Sequence, residues 1–294
     1  LSYRCVAALC ADVLSRGRVP AESGPGGFQR LFRSSAARGA LLASTALTGA
    51  VLTASTVWAQ QTIVVTDTPS TVAAINSANG QSGDTIQLGN AITLTQALPT
   101  VSAATTFDPN SYTLTGMSGQ ALFTVSAPSV SLLGNGSFVA PGNEVVSTTA
   151  SGITVSNAAT LSSGGGEGAI LLGADGTVYN GGSITGVRGL RGDSFATVTN
   201  TGSITGTSSS GIALTGSDTT MSTVTNDGLI SGAAYGVAFG GVGTLNNTGL
   251  VSSTGTAAVA LDSDGNATGT SVVNNNAGGT IVGSQVGVYL FGQT

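Results

Sequence analysis

The chain has 294 residues, of which only 7% are charged: eight arginines, no lysine and no histidine stand against thirteen acids, and 45 residues are glycine. That length can bury a large core, and the low charge with evenly spread Val, Ile and Leu excludes a disordered composition. The lack of histidine removes a Ser-His-Asp triad and most zinc sites, and a body without a basic stripe excludes nucleic acid as a partner.

Residues 1–59 read as a leader. Six arginines precede residue 40, so the body after residue 59 holds two arginines against eleven acids, a net charge of −9. Phe28-Gln-Arg-Leu-Phe-Arg-Ser-Ser-Ala-Ala-Arg38 is a basic stretch that leads into the uncharged run Ala40–Ala54. Val57-Trp58-Ala59 then places small residues at the −3 and −1 positions of a cleavage site. Basic, apolar and small-x-small segments in that order make a secretory signal peptide over residues 28–59, cut after Ala59. The apolar run is too rich in Thr, Ser, Gly and Ala for a membrane anchor. Residues 1–27 form an extension with no assigned fold. Both cysteines, Cys5 and Cys10, fall in it, so the exported chain is expected to lack disulfides.

Residues 60–165 read as the opening coils of a solenoid. Thr62-Ile-Val-Val65, Thr71-Val-Ala-Ala-Ile75, Gly83-Asp-Thr-Ile-Gln-Leu88 and Thr93-Leu94 look like the opening coils of a β-helix. The segment Thr62–Leu94 is expected to cap the N-terminal end. The pattern fades over residues 100–165.

Residues 166–294 carry a repeat. The phrases Val178-Tyr-Asn-Gly-Gly-Ser-Ile184, Val198-Thr-Asn-Thr-Gly-Ser-Ile204, Val224-Thr-Asn-Asp-Gly-Leu-Ile230 and Leu245-Asn-Asn-Thr-Gly-Leu-Val251 share one form, and Val273–Ile281 is a stretched copy. The anchors Ile184, Ile204, Ile230, Val251 and Ile281 step by 20, 26, 21 and 30 positions. Between them recur Gly168-Ala-Ile170, Gly211-Ile-Ala-Leu214, Gly236-Val-Ala-Phe239, Ala258-Val-Ala-Leu261 and Gly287-Val-Tyr-Leu290. Each unit thus holds three short alternating runs punctuated by Gly, Asn, Asp and Ser, which argues three strands per coil. A period in the twenties means units that bury their core by stacking.

The expected fold is therefore all-β, a right-handed parallel β-helix of about ten coils spaced ~4.8 Å apart. Ile184, Ile204, Ile230, Val251 and Ile281 are expected to stack on one inner face. Val198, Val224, Leu245 and Val272 or Val273 should stack on the second, and Ile212, Val237, Val259 and Val288 on the third. Asn180, Asn200, Asn226, Asn247 and Asn274 or Asn276 should form an amide ladder. Extra residues should bulge as corner loops at Gly216–Thr220 and Asp262–Asn266. The last coil, ending at Thr294, offers a bare strand edge, so end-to-end association or fraying is expected there.

The signal peptide and the recurring x-Val-x-Asn-x-Gly-x-Ile-x-Gly phrase over roughly residues 62–294 resemble the passenger domains of Gram-negative autotransporters. The resemblance implies export across the inner membrane and display on the outer-membrane surface or release from it. It implies as partners the secretion machinery and a β-barrel, its own or a separate one, and a host or matrix surface. A C-terminal barrel has no counterpart here, so the chain is read as an N-terminal fragment. Two-partner-secretion haemagglutinins are a competing likeness, with Asp108-Pro-Asn110 the nearest match to their Asn-Pro-Asn phrase.

Little in the body suggests catalysis, and neither a cofactor nor a metal is expected. A β-helical polysaccharide lyase needs a cationic base, and a hydrolase needs paired carboxylates; the acids here are scattered singly. Asp262-Ser-Asp-Gly-Asn266 opens like a calcium loop, but Ala267 and Val273 stand where Gly and Glu are wanted, so a solvated turn is expected. Arg191-Gly192-Asp193 is an integrin-type tripeptide and a candidate adhesion motif, expected in a corner loop where a plain turn is the competing reading. The expected role is an adhesin or structural stalk, with a carbohydrate-active enzyme as the alternative.

Overall fold

A computed structural model describes residues 60–216, 221–262 and 269–291. The chain divides between Trp58 and Ala59 into two units, and the leader, with the expected cleavage after Ala59, lies outside the described residues.

Among the described residues twenty-seven strands wind into three parallel sheets of ten, nine and eight strands. One coil consists of β13 (Gly176–Asn180), β14 (Ser183–Gly186) and β15 (Leu190–Gly192). The next is β16 (Ala196–Asn200), β17 (Ser203–Gly206) and β18 (Ile212–Leu214). Each strand pairs in parallel with its equivalent one coil away, β13 with β16, β14 with β17 and β15 with β18. Eight coils carry all three strands, and the first sheet is ten deep. The result is the expected right-handed parallel β-helix.

Alternation produces the core. Along each short strand every second residue points inward, and its register partner is the matching residue of the next coil. Ile184, Ile204, Ile230, Val251 and Ile281 pair in sequence on the second sheet. Val178, Val198, Val224, Leu245 and Val273 do so on the first, so Val273 and not Val272 faces in. Ile212, Val237, Val259 and Val288 stack on the third. Leu190 extends that third stack.

The solenoid continues through residues 100–165. There the repeat phrase fades because larger side chains fill the same inner positions. Phe107, Phe123 and Phe138 come from the first, third and second sheets and meet in the core, with ring centroids 4.4 and 5.4 Å apart. All three are buried.

One segment expected in the opening coils is a helix. Thr71–Ile75 lies inside α1 (Thr68–Ala78), which follows β1 (Thr62–Val65) and precedes β2 (Thr85–Leu88). Asp67 caps it: its carboxylate accepts from the Ser70 N–H at 2.8 Å, and Ser70 Oγ accepts from the Asp67 N–H at 3.1 Å. Thr71, Ala74, Ile75 and Ala78 are buried, at helical rather than alternating spacing. The helix is pinned to the next coil by Thr68 Oγ1, which accepts from the Thr95 N–H. Asn79 bonds there too, donating to the Thr100 carbonyl and accepting from the Ser102 N–H. It takes the place of the second and third strands of the first coil and covers the apolar end of the core.

Candidate functional site

The repeat's asparagines face inward, at the corner between the first and second sheets. Asn157, Asn180, Asn200, Asn226, Asn247 and Asn275 form one ladder, each Nδ2 donating to the next Oδ1 at 2.7–2.8 Å. The last rung is Asn275, between the two expected candidates, because the strand keeps the register Asn247↔Asn275. Asn274 instead points outward and donates to Asn246. Asn157 extends the ladder at the other end. Beneath it stands Leu132, and the Asn157 Oδ1 is satisfied by the Ala159 N–H of its own turn. The second amide hydrogen of each inner rung reaches backbone carbonyls, as Asn200 does with Leu229 and Gly202. The rungs from Asn157 to Asn247 are buried, and a paired buried amide row is a structural device.

The outer face of the first sheet is lined with hydroxyls. Thr154, Thr177, Thr197, Thr223 and Thr244 stand side by side in one row. The parallel row runs Ser131, Ser156, Tyr179, Thr199, Thr225 and Asn246. Tyr179 breaks the pattern of small side chains, and it is 51% exposed. Beside it, where the sheet bends toward the second, opens a cleft of about 280 Å³. Its lining is nearly all apolar, with Tyr179 and Leu133, which is 42% exposed, as its walls, and it includes Ser131, Ser156, Thr199 and Thr201. No charged residue lines it.

The charged candidates lie elsewhere. Arg191 and Gly192 belong to strand β15 rather than a corner loop, since Leu190-Arg-Gly pairs in register with Ile170-Leu-Leu and Ile212-Ala-Leu. Arg191 points outward from this strand. Its Nε donates to Asp193 Oδ1 at 2.7 Å and its Nη1 to Glu167, which also holds Arg188 at 3.1 Å. Burial pulls the Arg191 guanidinium down. The Glu167 hydrogen bond and the two nearby carboxylate charges outweigh that and hold it above its ordinary value. The tripeptide's two charges thus satisfy each other.

Three other acids each accept from groups close by. Buried Asp84 accepts from the Gln61 N–H, and buried Glu144 from the Glu167 N–H. Asp108 accepts from Gln87 and from the Asn110 N–H. Among the described residues no group of three or more Asp, Glu, Cys or His side chains could hold a metal ion. Of the segment Asp262–Asn266 only Asp262 is described; it is buried, with a left-handed φ of 53°. In the Gly216–Thr220 loop only Gly216 is described. The described part of the chain contains no helix long and apolar enough to cross a membrane. No family model, no curated protein and no solved structure matches the chain.

Proposed function

We propose that the chain is an exported, surface-displayed β-solenoid passenger, an adhesin or structural stalk of the autotransporter kind, without catalysis in its described coils. The observation that carries this reading is the contrast between inside and outside. The interior is devoted to stacking, with a continuous apolar core and a closed amide ladder. The outside offers long rows of Ser, Thr and Asn with few charges. Such faces make many weak contacts over a rigid length and lack the convergent titratable groups that a catalyst needs. The leader's basic, apolar and small-residue order supports export.

Expression in a Gram-negative host with N-terminal sequencing of the exported material tests the reading. The mature chain is expected to begin at Gln60. An intact Arg-rich leader on exported protein would remove the signal peptide. Turnover of pectin or a related glycan by the purified chain would replace the passive role with an enzymatic one.

A further inference from the structure

We infer that the cleft beside Tyr179 binds a neutral oligosaccharide. Three observations converge on that chemistry. The first is the break in the row: at the positions equivalent to Tyr179 in register stand Ser131, Ser156, Thr199, Thr225 and Asn246, so the sheet does not require an aromatic ring there. A ring half in water, beside a concave wall, offers an apolar face to a ligand. The second is the pairing of that face with Leu133 across a wall that is nearly all apolar, with Ser131, Ser156, Thr199 and Thr201 among its lining residues. A sugar ring carries an apolar C–H face, which an aromatic wall complements while the ring's hydroxyls stay in water. The third is charge: no lining residue is ionisable at neutral pH, and Arg188 and Arg191 are tied to Glu167, away from the cleft. Uronic acids, sulfated glycans and nucleic acids would find no counter-charge there.

The dimensions fit a short oligomer. The cleft crosses four successive strands of the first sheet, from Ser131 to Thr199, a span of ~14 Å at the strand spacing. A peptide is the poorer occupant. The cleft lies on a sheet face, where the strand backbone is already paired to the coils on both sides, so strand addition is closed to it. The inference deepens the proposed adhesive role and rests on that role for its setting, while the binding site stands on geometry alone.

The test uses the purified 294-residue chain and four probes read by saturation-transfer NMR and calorimetry: maltotriose, cellotriose, triacetylchitotriose and, as the acidic control, trigalacturonate. At least one neutral trisaccharide is expected to bind, and trigalacturonate is not. Tyr179→Ala should weaken binding about tenfold or more, whereas Tyr179→Phe, which keeps the ring, should stay within about threefold. Tyr112→Ala, an exposed tyrosine outside the cleft, should bind as the unaltered chain does. An unchanged circular dichroism spectrum shows that Tyr179→Ala still folds. Absence of binding by all three neutral probes, or equal binding by Tyr179→Ala, would overturn the inference. Cell attachment by the displayed chain is scored separately. Trisaccharide binding without attachment upholds the cleft and removes the adhesive role; attachment without trisaccharide binding removes the cleft and leaves the role standing.

Discussion

Asn200 Nδ2 donates to Asn226 Oδ1 at 2.8 Å, and neither side chain reaches solvent. Asn200 in turn accepts from Asn180 at 2.7 Å, so it is linked to the coils on both sides. Replacing it with Ala strands the Asn226 oxygen and removes the acceptor that Asn180 uses. A loss of about 3 kcal/mol is expected, because a buried polar group left unpaired costs its full desolvation. Asn200→Asp should cost more, since an acceptor then faces the Asn226 acceptor and a charge is buried. Urea unfolding followed at coils on either side of the rung measures both. A loss under about 0.5 kcal/mol would show the ladder to be incidental.

Two adjacent glycines after Asn180 should behave in opposite ways. A Cβ on Gly182 would stand 2.2 Å from the Ala159 carbonyl oxygen, whereas on Gly181 its nearest neighbour is Thr201 Oγ1 at 3.7 Å. The next coils repeat the contrast: Gly202, Gly228 and Gly249 occupy the first position, and Thr201, Asp227 and Thr248 the second. Gly182→Ala is expected to destabilise by about 2 kcal/mol or more and Gly181→Ala by less than about 0.5. Thermal melts of the two variants, side by side, decide whether close approach of the coils explains the invariant glycine of the phrase.

Asp67 ties the end helix to pH. The Ser70 side chain, and after it the Ser70 backbone N–H, hold its carboxyl below the ordinary value. The folded value is thus lower than the unfolded one. Its contribution is present above the ordinary carboxylate value and is lost as pH falls through the lowered one. Hydrogen exchange at Ser70 and Thr71 should accelerate over that acid window. Asp67→Ala should accelerate it already at neutral pH, and Asp67→Asn, which keeps a capping oxygen, should retain protection and lose the pH dependence.

The Arg191–Asp193 pair bears on adhesion. Both side chains are partly exposed and bonded to each other, with Glu167 as a second partner for the arginine. Arg191→Ala is expected to change stability by less than about 1 kcal/mol, as exposed ion pairs do. Asp193→Glu should leave attachment to integrin-bearing cells unchanged, because the guanidinium is already occupied. A loss of attachment in that variant would restore the tripeptide as a contact.

Much of this fold is legible in the residues, and the reason is local. A parallel coil stacks equivalent residues on themselves, so each inner position must be apolar or self-complementary in every turn. That constraint prints a period in the chain, which is why the Ile184, Val198 and Ile212 stacks and the asparagine ladder could be assigned without coordinates. The helix was legible in part. Asp67, Pro69 and Ser70 form a capping signature, but the short run Thr71–Ile75 is equally apolar as a strand, and five residues do not tell the two periods apart.

The amino-acid sequence by itself determined the fold class, the three inner faces and the dearth of titratable chemistry, because these follow from periodicity and composition. Only the tertiary structure decided matters of register. It placed Asn275 rather than its neighbours in the ladder, since a stretched turn leaves three consecutive asparagines equivalent until the strand pairs. It moved Arg191 from a loop into a strand and closed it on Asp193. It also brought Leu133, Ser156, Tyr179 and Thr201, spread over 69 positions of the chain, to one cleft. Residues of successive coils become neighbours only when the coils stack, and no local pattern along the chain records which outward side chains then share a wall.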